Sequence, residues 1–358
     1  MSEEIYRILK TNGRLEKGRK TPSIDDQRLR EMYRYMLINR LVDERMTKLQ
    51  RQGRIGFYIG SVGEEAAIIG SALALDKDDW IVPCYREFGA ALVRGFSLYT
   101  FCCQLFGNAE DPIKGRQMPN HYSARDLKFT SISSPVGTQI PHAAGLGMGL
   151  KIQGKKNAVL VYFGDGATSQ GDFHVGANFA GVYQAPVIFL CRNNQWAISV
   201  PGERQTASET FAVKAKAYGF EGIRVDGNDV LAVYETVRKA VEKAHEGGGP
   251  TMVEAVTYRQ GAHSTSDDPR AYREEEEVER WKERDPLVRM KAYLKHRELW
   301  SDEEDEAVRE KTAKEIVGAI KKAEKVGPPD AEEIFKEVYD EMPPHLQEQY
   351  QQLRESAQ

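Results

Sequence analysis

Residues 157–199 read NAVLVYFGDGATSQGDFHVGANFAGVYQAPVIFLCRNNQWAIS, and two short apolar runs within them decide the fold. The first, 157–163, stops at Gly164-Asp165-Gly166, and the second, 187–191, stops at Arg192-Asn193-Asn194. Short runs without polar alternation fit strands of a parallel sheet buried on both faces. Residues 171–183 between them fit a helix.

The alternation continues downstream. Helical 211–218 leads to a strand at 223–225, and helical 230–245 leads through Gly247-Gly248-Gly249-Pro250 to a strand at 252–256. This predicts right-handed βαβ units in an α/β fold, a doubly wound parallel sheet flanked by helices. Upstream, Leu29, Met32, Tyr33, Met36, Leu37, Leu41 and Met46 recur at helical spacing over 25–51, with Gly53 as C-cap. A second apolar helix is expected over 63–75, and a strand at 80–82 ended by Pro83. Residues 1–22 are polar and basic and read as a flexible arm. The expected division is that arm, an α/β domain over 23–273, and a charged helical extension over 274–358.

Composition excludes some partners. With 50 Lys and Arg against 54 Asp and Glu, the net charge is -4, so no basic field draws the chain to nucleic acid or an anionic membrane. Cys84, Cys102, Cys103 and Cys191 form no C-x-x-C pair and read as reduced, small apolar residues. The start of the chain has no apolar signal core and carries Glu3 and Glu4, which points to the cytoplasm; a processed matrix protein would look similar.

Ligands of an open parallel sheet bind at the carboxyl ends of its strands, where helix N-termini offer free N–H groups to phosphate. Asp165 and Asn194 stand at two such ends. Magnesium takes oxygen ligands, usually one or two carboxylates together with substrate phosphates, and these side chains can supply them. Either motif alone makes an ordinary turn. No G-x-G-x-x-G opens the strand-loop-helix unit, which argues against a plain dinucleotide-binding domain.

Together, GDG and NN at this spacing match the thiamin diphosphate motif. The chain resembles the alpha subunit of the decarboxylating component of branched-chain 2-oxo acid dehydrogenase complexes. The resemblance extends through GRIGFY near Phe57, YREFG near Arg86, KGRQMPNHY near Arg116, SISSPVGTQIP near Ser134, IRVDGNDV near Asp226 and HSTSDDP near His263. It implies the thiamin diphosphate-binding fold and oxidative decarboxylation of a 2-oxo acid with reductive acylation of a lipoyl group. Pyruvate and acetoin dehydrogenase alpha subunits share the GDG and NN elements; HSTSDDP and the Phe57, Tyr58, Ile59 segment, similar to the family's apolar substrate pocket, favour branched-chain acids.

The resemblance also implies roles by position. Asp165, Asn194 and the Trp196 carbonyl would hold magnesium. Tyr85, Arg86, Arg192 and His263 would surround the diphosphate, with backbone N–H groups from Gly166 and Ala167 beside Gly164. Ser134 and Val136 would touch the middle of the cofactor, Val136 standing where relatives often have Leu. Ser133, Pro135, Thr138 and Gln139 match a potassium site; without the ion they make a polar turn at a helix start. His263, Tyr85 and Ser264 are the catalytic candidates, and the serine matching Ser264 is a regulatory phosphorylation site in mammalian relatives. The chain offers no candidate for the carboxylate that the cofactor's pyrimidine needs. The resemblance therefore implies a beta subunit in an α2β2 heterotetramer, together with a lipoylated acyltransferase core. A catalytically silent scaffold is the competing class, and retention of Asp165, Arg192, Asn194 and His263 argues against it.

Overall fold

The computed structural model describes residues 4–336 and 338–356. Its centre is set by strands whose alternate side chains face opposite ways. In β2 (Val159–Gly164), Leu160 and Tyr162 enter one apolar cluster, whereas Val159, Val161 and Phe163 enter another. In β3 (Val187–Asn193), Ile188 and Leu190 oppose Val187, Phe189 and Cys191 in the same manner. A strand buried on both faces needs no polar alternation, which is why these runs are apolar throughout.

With β1 (Trp80–Val82), β6 (Glu221–Asp226) and β7 (Thr251–Val256), these strands form one parallel sheet in the order β1-β2-β3-β7-β6. Between β3 and β6, β4 (Trp196–Ala197) and β5 (Val200–Pro201) make a small antiparallel hairpin. The register pairs Gly164 with Arg192, so the GDG and NN ends lie side by side. Helices cover both faces, as the doubly wound expectation requires. One cluster joins the sheet to α1 (Asp26–Arg51) and α2 (Glu65–Leu73), and includes Phe88 of α3 (Phe88–Val93) and Phe101 of α4 (Leu98–Phe106). The other face carries α5 (Gln139–Ile152) and α6 (Gly171–Tyr183), while α7 (Val230–His245) returns to the first. Residues 212–218 form a 3-10 rather than an α-helical segment.

The N-terminal segment is not the free arm expected from its composition. Tyr6 pairs in parallel with Val225 at the edge of β6, and Ile8 and Leu9 are buried in the core. The N–H groups of Ile8 and Leu9 both donate to Asp229 Oδ2, at 2.7 and 2.6 Å. Asp229 also caps α7 through Leu231 and Ala232. Two apolar residues and one buried acceptor hold down an otherwise polar stretch.

The C-terminal region is helical: α8 (Glu275–Lys282), α9 (Pro286–His296), α10 (Asp302–Ala323) and α11 (Pro344–Ser356). A Ser301–Glu304 capping box starts α10, whose Ile316 and Ile320 enter the same core as the sheet. The four cysteines are free and buried. Among the described residues no helix is long and apolar enough to cross a membrane.

Candidate active site

The ends of β2 and β3 open into a cavity of about 470 Å³. It brings together Gly164, Asp165, Gly166, Ala167, Arg192, Asn194, Trp196, Tyr85, Arg86, Ser134, Val136 and His263, all expected from the sequence. Phe57 and Ile59 line it too. Tyr58 does not, because successive residues of an extended segment face opposite ways: its hydroxyl turns into the core and donates to Asp43 Oδ1 at 2.6 Å. Ser264 also lies outside the lining, its Oγ accepting from Ser266 N at 3.2 Å.

Asp165 begins a 3-10 turn, Asp165–Ser169, that carries the chain from β2 towards α6. It is 1 % exposed, and its Oδ2 has no hydrogen-bond partner among the described residues. Burial pushes its carboxyl up to about 7. A buried acceptor without a donor is costly, and a cation at this oxygen would remove both the orphan and the penalty on the charge. Asn194 donates through Nδ2 to Glu64 Oε1 at 2.9 Å. That bond leaves its Oδ1, which meets only a long contact of 3.3 Å from Trp196 N, as the oxygen available to a metal. A side chain at Gly166 would collide with Ala197, so the backbone here comes closer to its neighbours than any other residue would allow.

The Trp196 carbonyl, expected as a metal ligand, already accepts from Arg259 Nη1 at 3.2 Å. Arg192 also differs from a free phosphate clamp. Its two terminal nitrogens pair with Glu64 and Glu87, and its buried Nε has no partner among the described residues. Both carboxylates were missed in the sequence. Acidic pairs at a helix start ordinarily face solvent, and only the burial of the N-terminus of α2 turns Glu64 inward, to 0 % exposure.

Arg86 reaches across to the loop after β7. Its Nη2 donates to His263 O at 2.8 Å and approaches His263 Nδ1 at 3.1 Å, while Nη1 donates to Gly60 O. A guanidinium only donates, so Nδ1 accepts and the ring proton sits on Nε2. Burial, then the charges of Arg86 and Arg259, drive His263 down to about 3. The ring is therefore neutral at physiological pH. Tyr85 meets it edge-on at 6.0 Å, its own hydroxyl pushed well above the usual range by burial. His121, unassigned in the sequence although it lies in KGRQMPNHY, holds Ser134 Oγ at 2.8 Å through Nε2.

The candidate potassium residues separate. Ser133, Pro135 and Gln139 line a second cavity beside β1 and α5; Thr138 does not line it and bonds Pro135 O at 3.0 Å. Gln139 donates to Tyr162 O at 2.9 Å, and its buried Oε1 is without a partner among the described residues.

A buried acid, an amide and two arginines gather at the carboxyl ends of a parallel sheet, where α/β folds of this kind bind their ligands. The chain belongs to the dehydrogenase E1 component family, whose model matches residues 33–332. It is 45% identical over 351 residues to 2-oxoisovalerate dehydrogenase subunit alpha 1, mitochondrial, of Arabidopsis thaliana, covering 98% of this chain and 74% of that protein. The human and Dictyostelium discoideum alpha subunits of the same name are 40% and 42% identical, over 98% of this chain and 79% and 80% of theirs. These relatives are named as mitochondrial, which overturns the cytoplasmic expectation. An acidic start says little about location, because a targeting leader is removed from a mature chain.

Proposed function

We propose that this chain is the alpha subunit of a thiamin-diphosphate-dependent dehydrogenase that decarboxylates branched-chain 2-oxo acids. The observation that carries the reading is the pairing of Asp165 and Asn194 at adjacent strand ends, with Arg86 and His263 facing the same cavity and Phe57 and Ile59 forming an apolar wall. When bound, thiamin diphosphate supplies the carbanion chemistry, and the protein supplies position and electrostatics. Asp165 Oδ2 and Asn194 Oδ1 would hold magnesium, with the Trp196 carbonyl offering the lone pair that Arg259 leaves. Arg86, the Arg192 Nε–H and the backbone of Gly166 and Ala167 would meet phosphate oxygens. His263, neutral with its proton on Nε2, offers a donor rather than a second cation. Ser134, fixed by His121, and Val136 would touch the middle of the cofactor.

The buried Gln139 Oε1, without a partner among the described residues, supports a monovalent cation held with Ser133 and Pro135, which line the same cavity. Asp165 is the only carboxylate among the described residues lining the main cavity, so the acid that faces the pyrimidine comes from a partner. A beta subunit in an α2β2 assembly fits the exposed face of α6, where Val175, Phe179, Val182 and Tyr183 form an apolar stripe. Beside it on α5, Gly145 and Gly149 leave open space for close approach. A lipoylated acyltransferase core receives the acyl group.

The test is reconstitution with the beta subunit, thiamin diphosphate, magnesium and an artificial electron acceptor. Turnover of 3-methyl-2-oxobutanoate and 4-methyl-2-oxopentanoate above pyruvate supports the reading. A preference for pyruvate would shift it to a pyruvate dehydrogenase, and decarboxylation by the alpha chain alone would refute the shared site.

A further inference from the structure

The wall formed by Phe57 and Ile59 is not held by a sheet. Residues 57–61 are irregular in structure; besides Arg86, which holds Gly60 O, three further residues fix their backbone groups. Ser61 N donates to Asp43 Oδ2 of α1 at 2.8 Å. Asn120 bonds both the N–H and the carbonyl of Ile59, each at 3.3 Å. Asp43 and Asn120 are both buried. The third anchor is Thr265: Tyr58 N donates to Thr265 Oγ1 at 3.1 Å, and Thr265 N donates to Tyr58 O at 3.0 Å.

Thr265 lies two positions after His263, in the same loop, and is not among the residues that line the cavity. We infer that Thr265 is a positioning residue for substrate selectivity, which registers the apolar wall of the acyl pocket against the His263 loop through the backbone of Tyr58. The inference rests on the proposed function, in which Phe57 and Ile59 meet the substrate's side chain. Residues 56–58 carry no other backbone hydrogen bond to the loop among those described. Removing the hydroxyl strands the Tyr58 N–H and lets Phe57 and Ile59 shift, which matters for a branched acyl group and little for a methyl.

The experiment compares wild type, Thr265→Val and Thr265→Ser in the assembly with the beta subunit. Valine keeps the shape and removes the acceptor; serine keeps the acceptor. One net hydrogen bond corresponds to roughly 3- to 10-fold in rate or binding. Thr265→Val should lower kcat/KM for 3-methyl-2-oxobutanoate by about that factor, mostly through KM, with pyruvate turnover and calorimetric thiamin diphosphate affinity unchanged. Thr265→Ser should restore the wild-type ratio. Equal selectivity in all three proteins overturns the inference, as does a uniform loss on every substrate accompanied by weaker cofactor binding. If wild type decarboxylates no 2-oxo acid, the functional reading itself fails, and this inference with it.

Discussion

Arg192 Nη1 and Glu64 form an ion pair in which both side chains are almost wholly buried, and Glu64 uses its other oxygen to hold the Asn194 amide. One carboxylate thus holds both the arginine and the amide at the end of β3. Removing one partner of such a pair leaves an uncompensated buried charge, at a cost of about 3–5 kcal/mol.

Glu64→Ala should therefore lower the melting temperature of the assembly and weaken magnesium binding together. Glu64→Gln, which keeps one acceptor, should retain more of both. Calorimetric magnesium titration with thermal unfolding reads the two effects. Unchanged magnesium affinity in Glu64→Ala would show that Asn194 needs no such support.

The N-terminal segment gives a second prediction. Asp229 accepts from Ile8, Leu9, Leu231 and Ala232, so Asp229→Ala removes a helix cap and the clamp on the segment at once. The cap alone is worth ~1 kcal/mol. Hydrogen exchange at residues 6–9 should rise sharply in the mutant while the strands β2 and β3 stay protected; protection retained at Ile8 and Leu9 would mean that Asp229 is not the clamp.

Acid should act on the loop after β7. His263 is held down to about 3, below an unfolded value near 6.5. Between those values the unfolded chain binds a proton that the folded chain refuses, so stability rises with pH and falls as the solution is acidified from 6.5 towards 3. One group contributes at most about 1.4 kcal/mol per pH unit. His263→Gln should flatten the acid limb of the stability profile by up to that slope. Parallel profiles for mutant and wild type would show that the imidazole is not kept neutral.

Ser264 provides the fourth prediction. Its hydroxyl does not line the cavity, yet it adjoins His263, and Asp267 accepts from both His263 N at 2.7 Å and the Tyr272 hydroxyl at 2.6 Å. A new negative charge beside Asp267 and near the diphosphate end repels both. Ser264→Glu should cut overall activity at least ~10-fold by disturbing that order, whereas Ser264→Ala should keep most of it. Steady-state turnover with the beta subunit and a lipoylated core decides, and equal activities would remove the loop serine from the account.

The strands and the side-by-side GDG and NN ends were legible because each rests on a local pattern. The apolar runs 157–163 and 187–191 ended in GDG and RNN, and the helices expected over 171–183 and 230–245 have those boundaries in the structure. What was hidden depends on long-range burial. Glu64 is an ordinary helix-start acid until the sheet covers it. Ile8 and Leu9 were masked by basic neighbours, since two buried residues carry no periodicity. Tyr58 shared a motif with Phe57 and Ile59, and only the backbone's direction separates it from them. His121 gave no pattern beyond its motif, and its bond to Ser134 spans a loop.

The most direct test of the metal and cofactor site is calorimetric titration of thiamin diphosphate with magnesium into the alpha–beta assembly, comparing wild type with Asp165→Asn. Asparagine keeps the shape and removes the charge from a buried oxygen that has no hydrogen-bond partner among the described residues. The account predicts a loss of cofactor affinity of at least ~100-fold, given that even residues supporting a metal's ligands cost 10- to 100-fold, with the melting temperature of the apo assembly preserved or raised. Wild-type affinity in Asp165→Asn would contradict the placement of the metal at the ends of β2 and β3.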